Sequence, residues 1–369
     1  SWGFENCLPI LNYDFQAPLG EYGIPKEKFY YLKLLHYFVS TFDVCDKQSV
    51  FMNKNDFNKY NNLFTSNIRV NECGEGFCFV NTYEKGYCNS GIKNLNISVR
   101  QNDEMLEFPV LNLHSGISFF FPFNLKIGDV NFSYIMAQPV LKIEKDKNIR
   151  YIFAKLNGIC PEYSCNKKKV FFEKGELKTG FENALKFNWT DKNYSVELYD
   201  FSVCLKMFYD TDTKRVDFAL SDKNILYYNN GKKIEIFREQ INEKYCEIKK
   251  SHRKKMQYDK YFYKIFCKKL NYTLKINKEI FNKYRDAVLI IDAPCDMAHM
   301  YCSGNIVADY ININNTWQIG LSRFKDDILN DATFEIRTCA IKRYQKTYFN
   351  SEIHMNDASI KLNRIYGYK

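Results

Sequence analysis

Thirteen cysteines, spread along all 369 residues, restrict what this chain can become more than any other feature. A structural metal site gathers its cysteines into short motifs, whereas dispersed cysteines are typical of proteins that fold in an oxidising, secretory compartment. Acceptor sequences for N-glycosylation favour the same compartment, and they lie at Asn96, Asn131, Asn188, Asn193, Asn271 and Asn314. The chain begins at Ser1 with no charged-then-apolar leader. We therefore expect a secreted or cell-surface glycoprotein whose signal peptide has been removed.

An internal repeat follows two close cysteine pairs, Cys73/Cys78 and Cys160/Cys165. Residues 83–94 align with residues 172–183, and the identical positions are Glu84, Lys85, Gly86, Gly91 and Asn94 with Glu173, Lys174, Gly175, Gly180 and Asn183. The paired glycines indicate turns, because glycine adopts positive φ angles without a Cβ clash. A more divergent third copy contains Cys295 and Cys302. The repeat predicts three β domains, over residues 1–130, 131–255 and 256–369.

The composition and the local patterns predict mainly β structure. The 31 Phe and 28 Tyr fit half-buried pleated surfaces, and residues 201–209 alternate between apolar and other residues, as a strand does. This predicted strand reaches a turn at 210–213 and returns as a hairpin. Pro25 opens a predicted helix whose apolar stripe is Phe29, Leu32, Leu35 and Val39, and Asn277 caps a short helix through Arg285. We expect tandem disulfide-stapled antiparallel β-sandwiches with a few short helices.

The predicted sandwiches are immunoglobulin-like only in a loose sense. Cys204 and Cys339 both fall on the strand face opposite the apolar series, so they are predicted to be peripheral staples and not the buried inter-sheet pair of an immunoglobulin domain. Comparison of the units gives a disulfide scheme: Cys165–Cys204, Cys302–Cys339, Cys267–Cys295, Cys45–Cys73, Cys160–Cys246 and Cys78–Cys88. Cys7 is the odd cysteine, and a Cys7–Cys45 bond is the main rival. Each bond would contribute about 2–4 kcal/mol by restricting the unfolded chain.

Charge and hydropathy identify neither a membrane anchor nor a nucleic-acid partner. Residues 108–125 contain no Asp, Glu, Lys or Arg, but their prolines and polar residues exclude a continuous apolar span and indicate strands. The net charge of +10 is spread along the chain, with one dense run, at Lys249, Lys250, Arg253, Lys254 and Lys255. We interpret that run as a solvated connector, and a polyanion-docking site is the alternative.

Candidate catalytic and metal-binding residues are few. Cys295, His299 and Cys302, with Asp292 and Asp296 nearby, have ligand types and spacing that suit zinc, but the equivalent cysteine pairs enclose no histidine. We therefore predict no metal.

Asp210 and Asp212 could hold a divalent cation in a luminal glycosyltransferase, although a hairpin turn explains them more simply. No Gly-x-Ser-x-Gly motif nominates a serine nucleophile. Trp189 and Trp317 could stack on a carbohydrate, but burial in a core is the simpler expectation.

The function predicted from these features is non-catalytic recognition. We expect a protein or glycan partner at a cell or extracellular surface, as for an adhesion protein, a receptor ectodomain or a surface antigen. Homo- and hetero-oligomers are both compatible with the sequence, and we expect no cofactor, no nucleic acid and no membrane span in this chain. The alternatives are the metal-dependent glycosyltransferase that uses Asp210 and Asp212, and a carbohydrate-binding module. The sequence does not identify the partner.

Overall fold

The computed structural model describes residues 17–44, 49–51, 64–83, 91–101, 104–156, 158–165, 168–171, 183–219, 224–229, 232–241, 243–251, 266–312, 316–341 and 361–368. The chain divides into two compact units. Unit I contains residues 30–219 and 230–232, and unit II contains residues 1–29, 220–229 and 233–369. The chain is mainly β, with several sheets and few helices, as the sequence predicts.

Unit I contains most of helix α1 (Glu27–Thr41) and the short helix α2 (Phe201–Leu205). Its strands are β1 Ser49–Phe51, β2 Thr65–Val70, β3 Gly76–Asn81, β4 Ile92–Leu95, β5 Ser98–Gln101, β6 Glu104–Glu107, β7 Leu111–Leu113, β8 Ser118–Ile127, β9 Val130–Ile135, β10 Gln138–Lys145, β11 Asn148–Lys155, β12 Glu162–Cys165, β13 Lys168–Phe171, β14 Asn183–Trp189, β15 Lys192–Asp200, β16 Met207–Asp210 and β17 Arg215–Phe218. A seven-stranded sheet has the order β1-β2-β3-β8-β9-β12-β13, and a four-stranded sheet has the order β10-β11-β15-β14.

The seven-stranded sheet of unit I has apolar residues on both of its faces. One face, with Ile68, Cys78 and Phe121, packs on the short strands β4, β5 and β7. The other face, with Phe77 and Phe120, receives Phe38 of α1. Within the four-stranded sheet β11 and β15 run parallel, which departs from the antiparallel sandwich expected from the sequence. The seven-stranded sheet is therefore the central layer of unit I.

Unit II builds one core between two five-stranded sheets. Its strands are β18 Asn224–Asn229, β19 Lys232–Ile241, β20 Cys246–Ser251, β21 Phe266–Ile276, β22 Asp286–Asp292, β23 Met297–Cys302, β24 Asn305–Ile311, β25 Trp317–Gly320, β26 Phe334–Ile341 and β27 Lys361–Tyr368, with helices α3 Ile280–Lys283 and α4 Lys325–Leu329. The sheet orders are β18-β19-β27-β22-β25 and β20-β21-β26-β23-β24. Both sheets contribute to the same buried cluster, for example Leu289 from one and Phe334 from the other.

Several local predictions are confirmed and others need correction. The hairpin that turns at 210–213 forms from β16 and β17, and α1 begins two residues after Pro25. Residues 201–205 are helical and not extended, and Cys204 is fully buried in a cluster with Leu34 and Met207 instead of being peripheral. The boundary predicted near residue 130 falls inside the β8–β9 hairpin, where Ile127 pairs with Val130. Two units, not three, are present.

The repeat itself lies mostly outside the described residues. Gly91 has φ +82°, and a Cβ there would meet the Leu113 carbonyl oxygen at 2.4 Å, so this turn requires glycine. Strands β3 and β12, which contain Cys78 and Cys165, belong to one sheet and not to separate domains. Similar cysteine spacing therefore marks two strands of a single layer.

No disulfide joins two cysteines among those that the structure describes. Cys73, Cys78, Cys160, Cys165, Cys204, Cys246, Cys295 and Cys302 are thiols, so the pairs predicted for them are not formed in this structure. Cys7, Cys45 and Cys88 lie outside the described residues, and the side chain of Cys267 is likewise not described. Burial raises the pKa of the Cys78 and Cys204 thiols to about 12.

The register of β23 and β26 separates Cys302 from Cys339. Met297 lies opposite Cys339, and Cys302 lies five residues further along β23. At about 3.3 Å per residue that is roughly 16 Å, while a disulfide joins Cα atoms at most about 7 Å apart. We expect non-reducing peptide mapping of the secreted protein to find no Cys302–Cys339 cross-link. Such a cross-link would contradict the β23–β26 register.

The described helices contain no segment with the length and apolar character needed to cross a lipid bilayer. The uncharged stretch 108–125 forms strands, as predicted: it contains β7 and all of β8 except its last two residues.

Candidate functional site

An open cavity of about 740 Å³ lies in unit I between α1 and one face of the seven-stranded sheet. Pockets that hold small molecules are commonly about 300–1,000 Å³, so this cavity has the size of a ligand site. It is formed by segments that are distant in the chain, from Tyr31 on α1 to Phe201 at the start of α2.

The floor of the cavity is formed by side chains on one face of three neighbouring strands, β2, β3 and β8. Thr65 pairs with Asn81 and Asn81 with Ser118, which makes one polar row across β2, β3 and β8. The next row contains Asn67, Phe79 and Phe120, and the ring centroids of the two phenylalanines are 5.2 Å apart. Because side chains alternate between the faces of a strand, both rows point to the same side of the sheet. The floor is therefore aromatic with a polar margin.

The roof of the cavity is the first half of α1. Phe38 and Phe42 lie on the helix face that packs on the sheet, and the Phe38 ring lies 4.3 Å from the Phe120 ring. Tyr31, Leu32 and Leu35 continue the same stripe at helical spacing, but they extend over the cavity and not onto the sheet. These three side chains are 45%, 39% and 39% exposed, which is high for large apolar residues that share one helix face. The helix thus closes on the sheet at one end and leaves it open at the other.

The remaining wall comes from the connections next to the four-stranded sheet. It contains Gln138 at the start of β10, Leu156 and Ile159 after β11, and Phe201 at the start of α2. The Phe201 ring lies 5.7 Å from the Tyr31 ring, so these two aromatic residues meet at the rim. Gly116, with φ +79° and open space where a Cβ would be, turns the chain into β8.

The lining contains no Asp, Glu, Lys, Arg or His among the described residues. The nearest lysine along α1, Lys33, points elsewhere: its Nζ donates to the Leu205 carbonyl oxygen at 2.9 Å and lies 4.0 Å from the centre of the Phe208 ring. Burial lowers the pKa of Lys33 to about 7. The described lining is therefore mostly apolar and aromatic, with a few uncharged polar side chains, and such a surface suits an apolar ligand.

The carboxylates proposed for a glycosyltransferase are turn residues. Asp210 accepts hydrogen bonds from the Thr213 hydroxyl and from the Asp212 backbone N–H, the latter at 3.2 Å. The Thr213 hydroxyl and the turn N–H groups hold the pKa of Asp210 below its usual range. Since the turn occupies the Asp210 oxygens, the geometry favours the hairpin interpretation.

The zinc hypothesis is not supported by the face geometry of β23. His299 and Cys302 are three residues apart on one strand and so point to opposite faces, and Cys302, unlike His299, belongs to the core cluster. Within the described part of the chain, no three His, Cys, Asp or Glu side chains come together as a possible metal site.

The other predicted site residues are dispersed. Lys249 and Lys250 lie in strand β20 and not in a connector, and Lys249 pairs with Glu247 at 2.7 Å. Arg253, Lys254 and Lys255 are outside the described residues. Trp317 is 3% exposed and stacks on Tyr310 in the core of unit II, while the side chain of Trp189 is not described.

Three of the six glycosylation sequons are open to solvent. Asn96, Asn131 and Asn193 are exposed, whereas Asn271 is half-buried within β21. The side chains of Asn188 and Asn314 are not described. Exposure makes the first three sequons the candidates for modification.

The cavity was missed by sequence reasoning, although one signal pointed to it. The predicted stripe Phe29, Leu32, Leu35 and Val39 contains two of the roof residues, but the fully buried side chains of α1 are Leu34 and Phe38. An apolar stripe that continues beyond the packed part of the helix could have marked a binding face. No protein-family model matches the chain, and no curated protein matches it in sequence.

Proposed function

We propose that this chain is a non-catalytic binding protein of the secretory pathway or cell surface, and that it holds its ligand in the cavity of unit I. The observation that carries the proposal is the roof of Tyr31, Leu32 and Leu35, which remains exposed above an aromatic floor. Apolar surface left open in a concave site is favourable to cover, at about 25 cal/mol per Å². The dispersed cysteines and the exposed sequons support a secretory location.

An apolar ligand fits this site better than a glycan. Sugars need many hydrogen-bonding partners, and the polar row of Thr65, Asn81 and Ser118 lies along one margin of the floor. In addition, Asn81 already uses its side-chain oxygen to accept from Ser118 at 2.6 Å. The glycosyltransferase alternative has no support from the lining, which contains no carboxylate among the described residues.

The proposal is tested with an uncharged environment-sensitive dye, Nile red, added to the full chain secreted from eukaryotic cells. We expect saturable binding with a blue-shifted emission. Leu35→Gln should weaken that binding by about tenfold, because burial of a leucine side chain is worth roughly 1.5–3 kcal/mol. The affinity is read from fluorescence titration.

Leu329→Gln is the matched control, since Leu329 ends helix α4 in unit II and is 44% exposed. It should leave the dye affinity unchanged. Equal effects of the two substitutions, or no saturable binding at all, would contradict the cavity as the ligand site.

A further inference from the structure

The aromatic floor of the cavity belongs to a series of rings that begins under helix α1. The ring centroids of Phe38 and Phe120 are 4.3 Å apart with an interplanar angle of 37°. Those of Phe120 and Phe79 are 5.2 Å apart at 31°. Aromatic rings attract one another in offset and tilted arrangements of this kind, so each ring of the series stabilises the next.

Phe79 is the end of this series that faces the cavity. Phe38 is fully buried and Phe120 is 7% exposed, whereas Phe79 is half-buried and lines the open space. Within the part of the chain that the structure describes, the ring contacts of Phe79 are with Phe38 and Phe120. An aromatic ring of a ligand placed on Phe79 would therefore continue the series with the same contact geometry.

The rim of the cavity carries a second aromatic pair. Tyr31 of α1 and Phe201 of α2 have ring centroids 5.7 Å apart at 32°, and both line the same space as Phe79. At such a surface an aliphatic chain gains free energy from burial alone. An aromatic ring gains an additional interaction with each ring that it meets. The lining therefore favours an aromatic ligand over an aliphatic one of the same size.

We propose that the ligand of the cavity is a small molecule with a fused planar aromatic ring system, which lies on Phe79 and is enclosed by Tyr31 and Phe201. This inference rests on the proposed function and specifies its ligand class. The volume of about 740 Å³ matches a whole small molecule. A single aromatic side chain of a partner protein would fill only part of it.

Displacement of Nile red from the full chain by naphthalene and by decalin tests this inference. The two probes share one fused bicyclic carbon frame, and only naphthalene is aromatic. The affinity of Nile red is measured first for each variant, so that displacement gives a dissociation constant for each probe. The aromatic preference is the dissociation constant of decalin divided by that of naphthalene.

Phe79→Leu should lower the aromatic preference about fivefold, because leucine keeps an apolar side chain and removes the ring. Phe79→Tyr keeps the ring and should keep the preference. Leu35→Gln should weaken both probes by a similar factor, since it alters burial and no aromatic contact. If Phe79→Leu changes the two dissociation constants by the same factor, or changes neither, recognition of an aromatic ring by Phe79 is overturned.

Phe281→Leu is the remote control, because Phe281 lies in helix α3 of unit II. It should change neither dissociation constant. A loss of aromatic preference in Phe281→Leu equal to that in Phe79→Leu would also overturn the assignment to the cavity. Circular dichroism confirms that each variant is folded.

The source of the aromatic ring is tested with N-acetyltryptophanamide, which imitates a side chain of a protein partner. It should displace the dye only at concentrations at least about tenfold above those of naphthalene, owing to the desolvation of its two amide groups. Displacement by N-acetyltryptophanamide at the same or a lower concentration would overturn the assignment to a small molecule.

These outcomes are distinct from a failure of the proposed function. If Nile red does not bind saturably, or if Leu35→Gln and Leu329→Gln have the same effect, the proposed function fails. If the dye binds in the cavity but the aromatic preference is the same in Phe79→Leu and in the unchanged chain, only the ligand class is wrong.

Discussion

Replacement of Arg150 by methionine should lower the free energy of unfolding of unit I by about 3–5 kcal/mol at pH 7. Arg150 on β11 makes two parallel hydrogen bonds to the carboxylate of Glu197 on β15, both at 2.8 Å. Glu197 is 5% exposed, so loss of the guanidinium leaves a buried negative charge. Methionine retains the aliphatic stem, which limits the change to the charge and its hydrogen bonds. Urea denaturation followed by circular dichroism measures the loss.

The Glu197 carboxylate is held by more than Arg150. Ser195 donates to it at 2.8 Å and Tyr199 at 2.9 Å. Burial acts to raise the pKa of Glu197, but these hydrogen bonds and the Arg150 charge outweigh it and hold the pKa below its usual value. The carboxylate thus contributes stability that is present above its unfolded pKa, near 4.3, and is lost as the pH falls through the lower folded pKa.

Two comparisons make the Arg150 prediction specific. The double variant Arg150→Met with Glu197→Gln should be more stable than Arg150→Met alone, because it leaves no buried charge. In Arg150→Met alone, burial should raise the pKa of Glu197. The free energy of unfolding of this variant should therefore approach that of the unchanged chain as the pH falls from 7 to 4.

The exposed pair Lys192 and Glu144, 2.9 Å apart, is the matched surface control, and Lys192→Met should have little effect. If Arg150→Met lost as much free energy of unfolding at pH 4 as at pH 7, a buried charge could not be the cause of that loss.

Replacement of Lys33 by methionine should stabilise unit I, in contrast to most changes of buried residues. Burial lowers the pKa of Lys33 from 10.5 to about 7, so the folded state resists charging an amine that is charged in the unfolded state. That penalty is fully present below pH 7, decreases as the pH rises above 7, and is lost above pH 10.5, where Lys33 is neutral in both states. We expect the free energy of unfolding of Lys33→Met to exceed that of the unchanged chain by about 1–3 kcal/mol at pH 6, after the loss of the contacts to Leu205 and Phe208 is subtracted.

The pH dependence identifies the cause of the Lys33 effect. Denaturation at pH 6, 8 and 10 should show that the stability advantage of Lys33→Met over the unchanged chain decreases steadily. The reason is that the unchanged chain itself becomes more stable as Lys33 loses its proton. Lys28 lies on the same helix and is exposed, so Lys28→Met should change stability little at any of these pH values. A gain for Lys33→Met that is equal at pH 6 and pH 10 would attribute the effect to packing instead of to charge.

Local patterns alone predicted several elements of this fold. Pro25 and the apolar residues after it indicated α1, and the Asp210–Thr213 turn indicated the hairpin that β16 and β17 form. In each case the deciding interactions lie within a few residues, through helical spacing, strand alternation or a side chain that bonds its own backbone. The mainly β character followed from the Phe and Tyr content for a similar reason, since it depends on residue type.

Other features were decided by contacts between distant segments. The segment Phe201–Leu205 alternates as a strand would, yet it is helical where it packs on Leu34 and Tyr199. Strand β8 pairs with β9 across the domain boundary that was predicted near residue 130. Similar cysteine spacing could not indicate this, because it does not specify which strands become neighbours. The cavity is the clearest case: helical spacing places Leu35 and Phe38 on one stripe, but only the sheet beneath decides that Phe38 is packed and Leu35 is left open. Periodicity defines a face of an element, and the tertiary structure determines what covers it.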